Sequence, residues 1–137
     1  MGYVIGIVIA LLVSLMARVA GLDRDRAFYP FLLMVIASYY VLFAAMAGSV
    51  RAIETESIVM TLFVIVAIAG FKFNLWFVVA ALAAHGVFDL FHGSMITNPG
   101  VPAWWPSFCL AYDVGAALFL AGLATSRRSA VPARAPL

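Results

Sequence analysis

The chain has 137 residues, a single cysteine and a formal net charge of +2, with 66% of its residues hydrophobic and 10% charged. Soluble domains are about half apolar and about a quarter charged, so this composition specifies an integral membrane protein and excludes an ordinary soluble domain. The modest cationic excess reads as a set of topology markers rather than a nucleic-acid surface, and the lone Cys109 excludes an internal disulfide or a Cys-rich metal site.

A membrane-spanning helix needs about 20 mainly apolar residues, and five stretches meet or approach that length. The first predicted helix covers about residues 3–20, and with no basic residue before its apolar run it reads as a retained span rather than a secretory signal. The second covers about 28–48, after the polar "GLDRDRA". The third covers about 56–71, after "RAIETE", and the fourth about 74–92. The fifth covers about 104–125, and residues 127–137 are expected to form a basic, flexible cytoplasmic tail. The expected fold is all-α: a polytopic bundle of five transmembrane helices.

Cations concentrate on the cytoplasmic side of membrane proteins. With the N-terminus outside, Arg18, Arg24, Arg26, Lys72, Arg127, Arg128 and Arg134 fall inside and only Arg51 outside. The expected orientation is therefore N-outside and C-inside, in a bacterial inner membrane. Asp23, Arg24, Asp25 and Arg26 are expected in a solvated inner turn, and Arg18 is expected to snorkel toward the interface. The uncharged loop 93–106 lies outside, with Trp104 and Trp105 suited to the membrane boundary. Gly2-x-x-x-Gly6, "AAMAG" and "GAA" are small-residue patterns that allow close helix approach. Packing within the chain is the commoner use; a homo-oligomer or a larger membrane complex is the other.

The chemistry is concentrated in "AHGVFDLFHG", where His85, Asp89 and His92 interrupt an apolar run. At roughly 100° per residue the three fall within about 60° of one another on one helix face. Asn74 projects near the same stripe. In the fifth helix Cys109 and Asp113 are again four residues apart. Counting rise from the outer ends places His85 and Asp113 at about the same depth, roughly 12 Å in. Ionisable residues inside membranes are costly and mark functional sites.

Three uses compete. Imidazoles and a carboxylate suit a transition metal, zinc or copper before iron, with His85, Asp89 and His92 as ligands and Asp113 as a fourth ligand, an outer partner or a general base. That would make the chain a metal-dependent membrane enzyme or a metal-handling protein. Alternatively Asp89 and Asp113 serve a proton-coupled transporter or channel subunit. The third use is a structural polar core in a non-catalytic accessory subunit. Cys109, Tyr112, Tyr39, Glu54, Glu56 and Asn74 are additional pocket candidates. Among them Cys109 matters mainly if the metal is copper. Glu54 and Glu56 are expected chiefly at a helix start, in water, with Arg51 and Glu54 pairing at the surface. Ser38, Tyr39 and Tyr40 lie in the outer half of the second helix, where one could reach the cluster, although a tyrosine that packs its ring and hydrogen-bonds its hydroxyl is the commoner outcome, for Tyr112 as well.

The segments "LDRDRAFYP", "HGVFDLFHG" and "GVPAWWPSFCLAYD", and the overall size, give the chain a look similar to many small bacterial integral membrane proteins. That resemblance implies a fold and no activity. The His-x3-Asp element at His85 and Asp89 is similar to one in ceramidase-like membrane hydrolases. Those also use a His-x3-His element, which a chain with two histidines does not supply. Membrane copper oxygenases also use Asp and His within helices, at a different spacing.

Overall fold

The computed structural model describes residues 1–129 and is entirely helical apart from turns. The five helices are α1 (Gly2–Ala20), α2 (Phe28–Met46), α3 (Val50–Lys72), α4 (Trp76–Met95) and α5 (Trp105–Ser129). Each is long and apolar enough to cross a membrane. Their outward faces carry exposed Leu12, Phe31, Leu62, Phe91 and Leu118. In water such a surface would be a severe penalty; in lipid it needs no cover.

Several boundaries differ from the sequence expectation. α3 begins at Val50, six residues earlier than expected, because Ser49 caps it: its hydroxyl accepts the Ala52 N–H at 3.3 Å. The charged "RAIETE" is therefore the first two turns of the helix, not its approach. α4 begins after Asn74, whose Oδ1 accepts the Trp76 N–H at 3.1 Å, and continues past His92 to Met95. α5 runs on to Ser129, into the stretch expected to be tail; residues 130–137 of that tail lie outside the described residues.

The helices pack in the order α1–α5–α4–α3–α2, with a smaller α2–α4 contact closing the core. α1 is held almost entirely by α5. The buried residues of α1 are Gly6, Ala10, Ser14 and Ala17, a stripe of small side chains along one face. A Cβ on Gly6 would collide with the Phe108 carbonyl, so the Gly2–Gly6 pattern is used within the chain, where it lets α1 lie directly on the α5 backbone. Gly86 does the same for α4 and α5: a Cβ there would sit 3.2 Å from the Leu110 carbonyl and 3.3 Å from the Asp113 Cβ. Close α4–α5 approach is what brings their polar residues into contact.

The turn between α1 and α2 is not simply solvated. Asp23 is buried and pairs with Arg18 at 3.4 Å. Arg26, at φ 70°, reaches the Gly70 carbonyl at 3.5 Å. The α1–α2 turn is thereby tied to the end of α3, and both lie at the same end of the bundle.

Candidate functional site

The α4 face predicted from the 85–89–92 spacing is buried in full. His85, Asp89 and His92 are each no more than 2% exposed. Gly86 lets α5 approach, and Asp113 meets His85 with a 2.7 Å contact between Oδ2 and Nδ1. Asp89 Oδ2 lies 3.5 Å from the same nitrogen, one helical turn along. Cys109, one turn from Asp113, completes a group of four: one ligand atom from each of His85, Asp89, Cys109 and Asp113 lies within 4.8 Å of the others. Such a carboxylate–imidazole contact fixes the ring orientation of a histidine.

His92 goes elsewhere. Its Nε2 lies 2.7 Å from Glu56 Oε1, not in the His85 group with which the sequence had placed it. Glu56 is 1% exposed, whereas the sequence placed it at a helix start in water. The cause is the early start of α3, which carries Glu56 about 9 Å along the helix at 1.5 Å per residue. Asn98, from the α4–α5 loop, donates to Glu56 Oε1 at 2.9 Å and to the Tyr40 carbonyl at 3.0 Å.

Tyr40 joins the two groups. Its hydroxyl donates to Asp89 Oδ1 at 2.6 Å, and its ring stacks on His92 with centroids 4.0 Å apart. Phe63 and Phe88 wall the assembly, Phe63 edge-on to His85 at 4.7 Å. The other candidates fall outside it. Tyr39 turns away from the cluster and packs on Trp105 at 5.0 Å. Tyr112 is buried against Phe108. Ser38 bonds the Val35 carbonyl. Glu54 and Asn74 are exposed, and no Arg51–Glu54 ion pair forms among the described residues. Trp105, expected at the boundary beside Trp104, is buried among Tyr39, Phe43 and Phe108.

The sequence reading missed the roles of Glu56 and Asn98. For Glu56 a signal existed: Ala52, Glu56, Phe63, Ala67 and Gly70 recur at spacings of three, four and seven, as one helix face does. Asn98 had none, because its position depends on how the loop folds back.

Glu56, Asp89 and Asp113 place three buried carboxyl groups beside two imidazoles. Were all three ionised, one negative charge would be left over even with both histidines protonated. Glu56 Oε2 and Asp113 Oδ1 are buried without a hydrogen-bond partner among the described residues, and Asp89 Oδ2, also buried, has the 3.5 Å contact with His85 Nδ1. Burying an uncompensated carboxylate is expensive. A bound cation or a shared proton is the chemistry that relieves it.

From His85 and Asp113 toward the α3–α4 turn, the core changes character. The buried side chains there are mainly hydrocarbon, among them Leu33, Ala67, Val78, Leu82, Ala117 and Leu120, with Ser14, Asp23 and Tyr29 the buried polar ones among the described residues. The polar chain runs from the Asn98 end to His85 and Asp113 near mid-bundle, with Ser14, Asp23 and Tyr29 buried further toward the α1–α2 turn.

No protein family, curated protein or solved structure matches this chain.

Proposed function

We propose that His85, Asp89, Cys109 and Asp113 bind a transition metal, and that the chain is a metal-dependent membrane enzyme or metal-handling protein. One observation carries this reading: four ligand-type side chains converge within 4.8 Å, all buried. One imidazole, one thiol and two carboxylates suit zinc or copper before iron. Glu56, His92 and Asn98 support the site from the loop side through Tyr40. The core beyond Asp113 is mainly hydrocarbon, which speaks against a proton path across the whole bilayer.

The chain sits, in this reading, in a bacterial inner membrane with its N-terminus outside. Arg18, Arg24 and Arg26, in or beside the α1–α2 turn, and Lys72, at the end of α3, gather at one end of the bundle, which is the arrangement expected of the cytoplasmic side. The site then lies in the outer half.

A structural polar core is the second reading, favoured by the pairings His85–Asp113, His92–Glu56 and Tyr40–Asp89. Elemental analysis separates the two, using protein purified without a His tag or chelator. About one metal per chain, lost in His85→Ala and in Asp113→Asn while the fold is kept, supports the metal site. A folded protein that takes up no zinc, copper or iron on supplementation supports the structural core.

A further inference from the structure

The metal group has a second side. A cavity of about 300 Å³ opens between α1, α2 and α5, and its lining includes Leu32, Ile36, Tyr39, Phe108, Cys109 and Tyr112. Cys109 therefore belongs both to the ligand group and to the wall of this groove. The opening exists because α1 leans on α5 and is not closely packed on α2, although the two are consecutive. Its rim residues, Ile9 and Val35, are 38% and 36% exposed on the face that meets lipid.

We infer that this groove is the lipid-side port of the metal group, and that its ligand is the hydrocarbon chain of a membrane lipid. The inference rests on the metal reading for its chemistry and on the groove for its substrate class. The chemistry of the lining selects the ligand. Apart from the Tyr39 and Tyr112 hydroxyls, the Trp105 indole N–H and the Cys109 thiol, every lining side chain is aliphatic or aromatic hydrocarbon. A water-soluble substrate would find almost no partner there, whereas an acyl chain arrives by lateral diffusion and loses little on leaving the bilayer for an equally apolar wall. The volume lies at the lower end of the range for ligand pockets, enough for part of a chain rather than a whole lipid.

A neighbouring groove provides an internal comparison. Tyr3, Ile7, Leu11, Leu110, Val114 and Leu118 line a larger cavity of about 510 Å³ on another flank of α1 and α5. It is as apolar, but none of its lining residues belongs to the metal group. General lipid contact fills both grooves alike; a port favours the one that ends at Cys109.

The test uses the full chain in phosphatidylethanolamine/phosphatidylglycerol vesicles containing a trace of phospholipid with a photoactivatable diazirine at the acyl terminus. Labelled residues are mapped by mass spectrometry, and metal content is measured on the same samples. Labelling of Ile36, Phe108, Cys109 and Tyr112 is expected several-fold above that of Leu110, Val114 and Leu118. Val35→Trp or Ile9→Trp, each at the lipid-exposed rim where folding is tolerant, should reduce it several-fold with metal content unchanged. Equal labelling of the two grooves, or labelling indifferent to both tryptophans, overturns the port. Selective, tryptophan-sensitive labelling of a metal-free protein upholds the groove and defeats the metal reading instead.

Discussion

Tyr40 contacts three different residues: its hydroxyl Asp89, its ring His92 and its carbonyl Asn98. Removing only the hydroxyl isolates the first. Tyr40→Phe leaves Asp89 Oδ1 buried without a donor, which should cost about 1–3 kcal/mol. Tyr39→Phe, one residue away, should cost well under that, and denaturant unfolding in mixed micelles compares the two. Equal effects would mean that the Asp89 contact is immaterial. Glu56 and His92 should behave as one unit. Glu56→Ala and His92→Ala are expected to be non-additive, with a coupling of at least about 0.5 kcal/mol in a double-mutant cycle; additive losses would contradict the 2.7 Å contact. At this scale the sequence was most informative about α4. The spacing of His85, Asp89 and His92 sufficed to put all three in the interior, since helical periodicity and the cost of polar groups in lipid both point there. It did not resolve which partner each would take. His92 binds Glu56 rather than joining His85, and that choice depends on α3 lying alongside α4, which no local spacing encodes.

Between elements, the α4–α5 contact is the structural requirement for the site, and Gly86 permits it. Gly86→Val would force the two helices apart beside His85 and Asp113. The expected result is a lower thermal midpoint together with loss of most bound metal. Gly93→Val, near the end of α4 with nothing within 4 Å of its Cβ position, serves as the comparison and should retain both. If Gly86→Val kept its metal, close helix approach would not be what builds the ligand group. All five helices were legible as apolar runs, and the matched depth of His85 and Asp113 followed from counting rise along two oppositely directed spans. The start of α3 was not, because charged residues ordinarily mark a loop. Here Ser49 caps the helix ahead of them, and only Glu56 of the two acids faces inward.

Across the whole molecule, the His/Asp/Glu cluster occupies one half of the bundle, and the other half is mainly hydrocarbon around Ser14, Asp23 and Tyr29. With the N-terminus outside, Thr97 faces the outer solution and Arg24 the inner one. Single cysteines at Thr97 and at Arg24 should react with an impermeant maleimide from opposite sides of sealed vesicles, the buried Cys109 remaining silent. Reaction from the same side would refute the alternating five-span arrangement, and reversed sides would refute the orientation. The mainly hydrocarbon half of the core also makes proton conduction unexpected, so reconstituted vesicles should hold a pH gradient equally well with the wild-type chain and with Asp113→Asn. A leak abolished by that substitution would restore the transport reading.

The most direct test of the metal site is X-ray absorption at the edge of the bound metal, comparing the wild-type chain with Cys109→Ser. The expected wild-type shell contains one sulfur at about 2.3 Å and nitrogen or oxygen neighbours at about 2.0–2.2 Å. In Cys109→Ser the sulfur should vanish while the lighter ligands remain. A shell without sulfur in the wild-type chain, or one unchanged by the substitution, would contradict a metal held by His85, Asp89, Cys109 and Asp113.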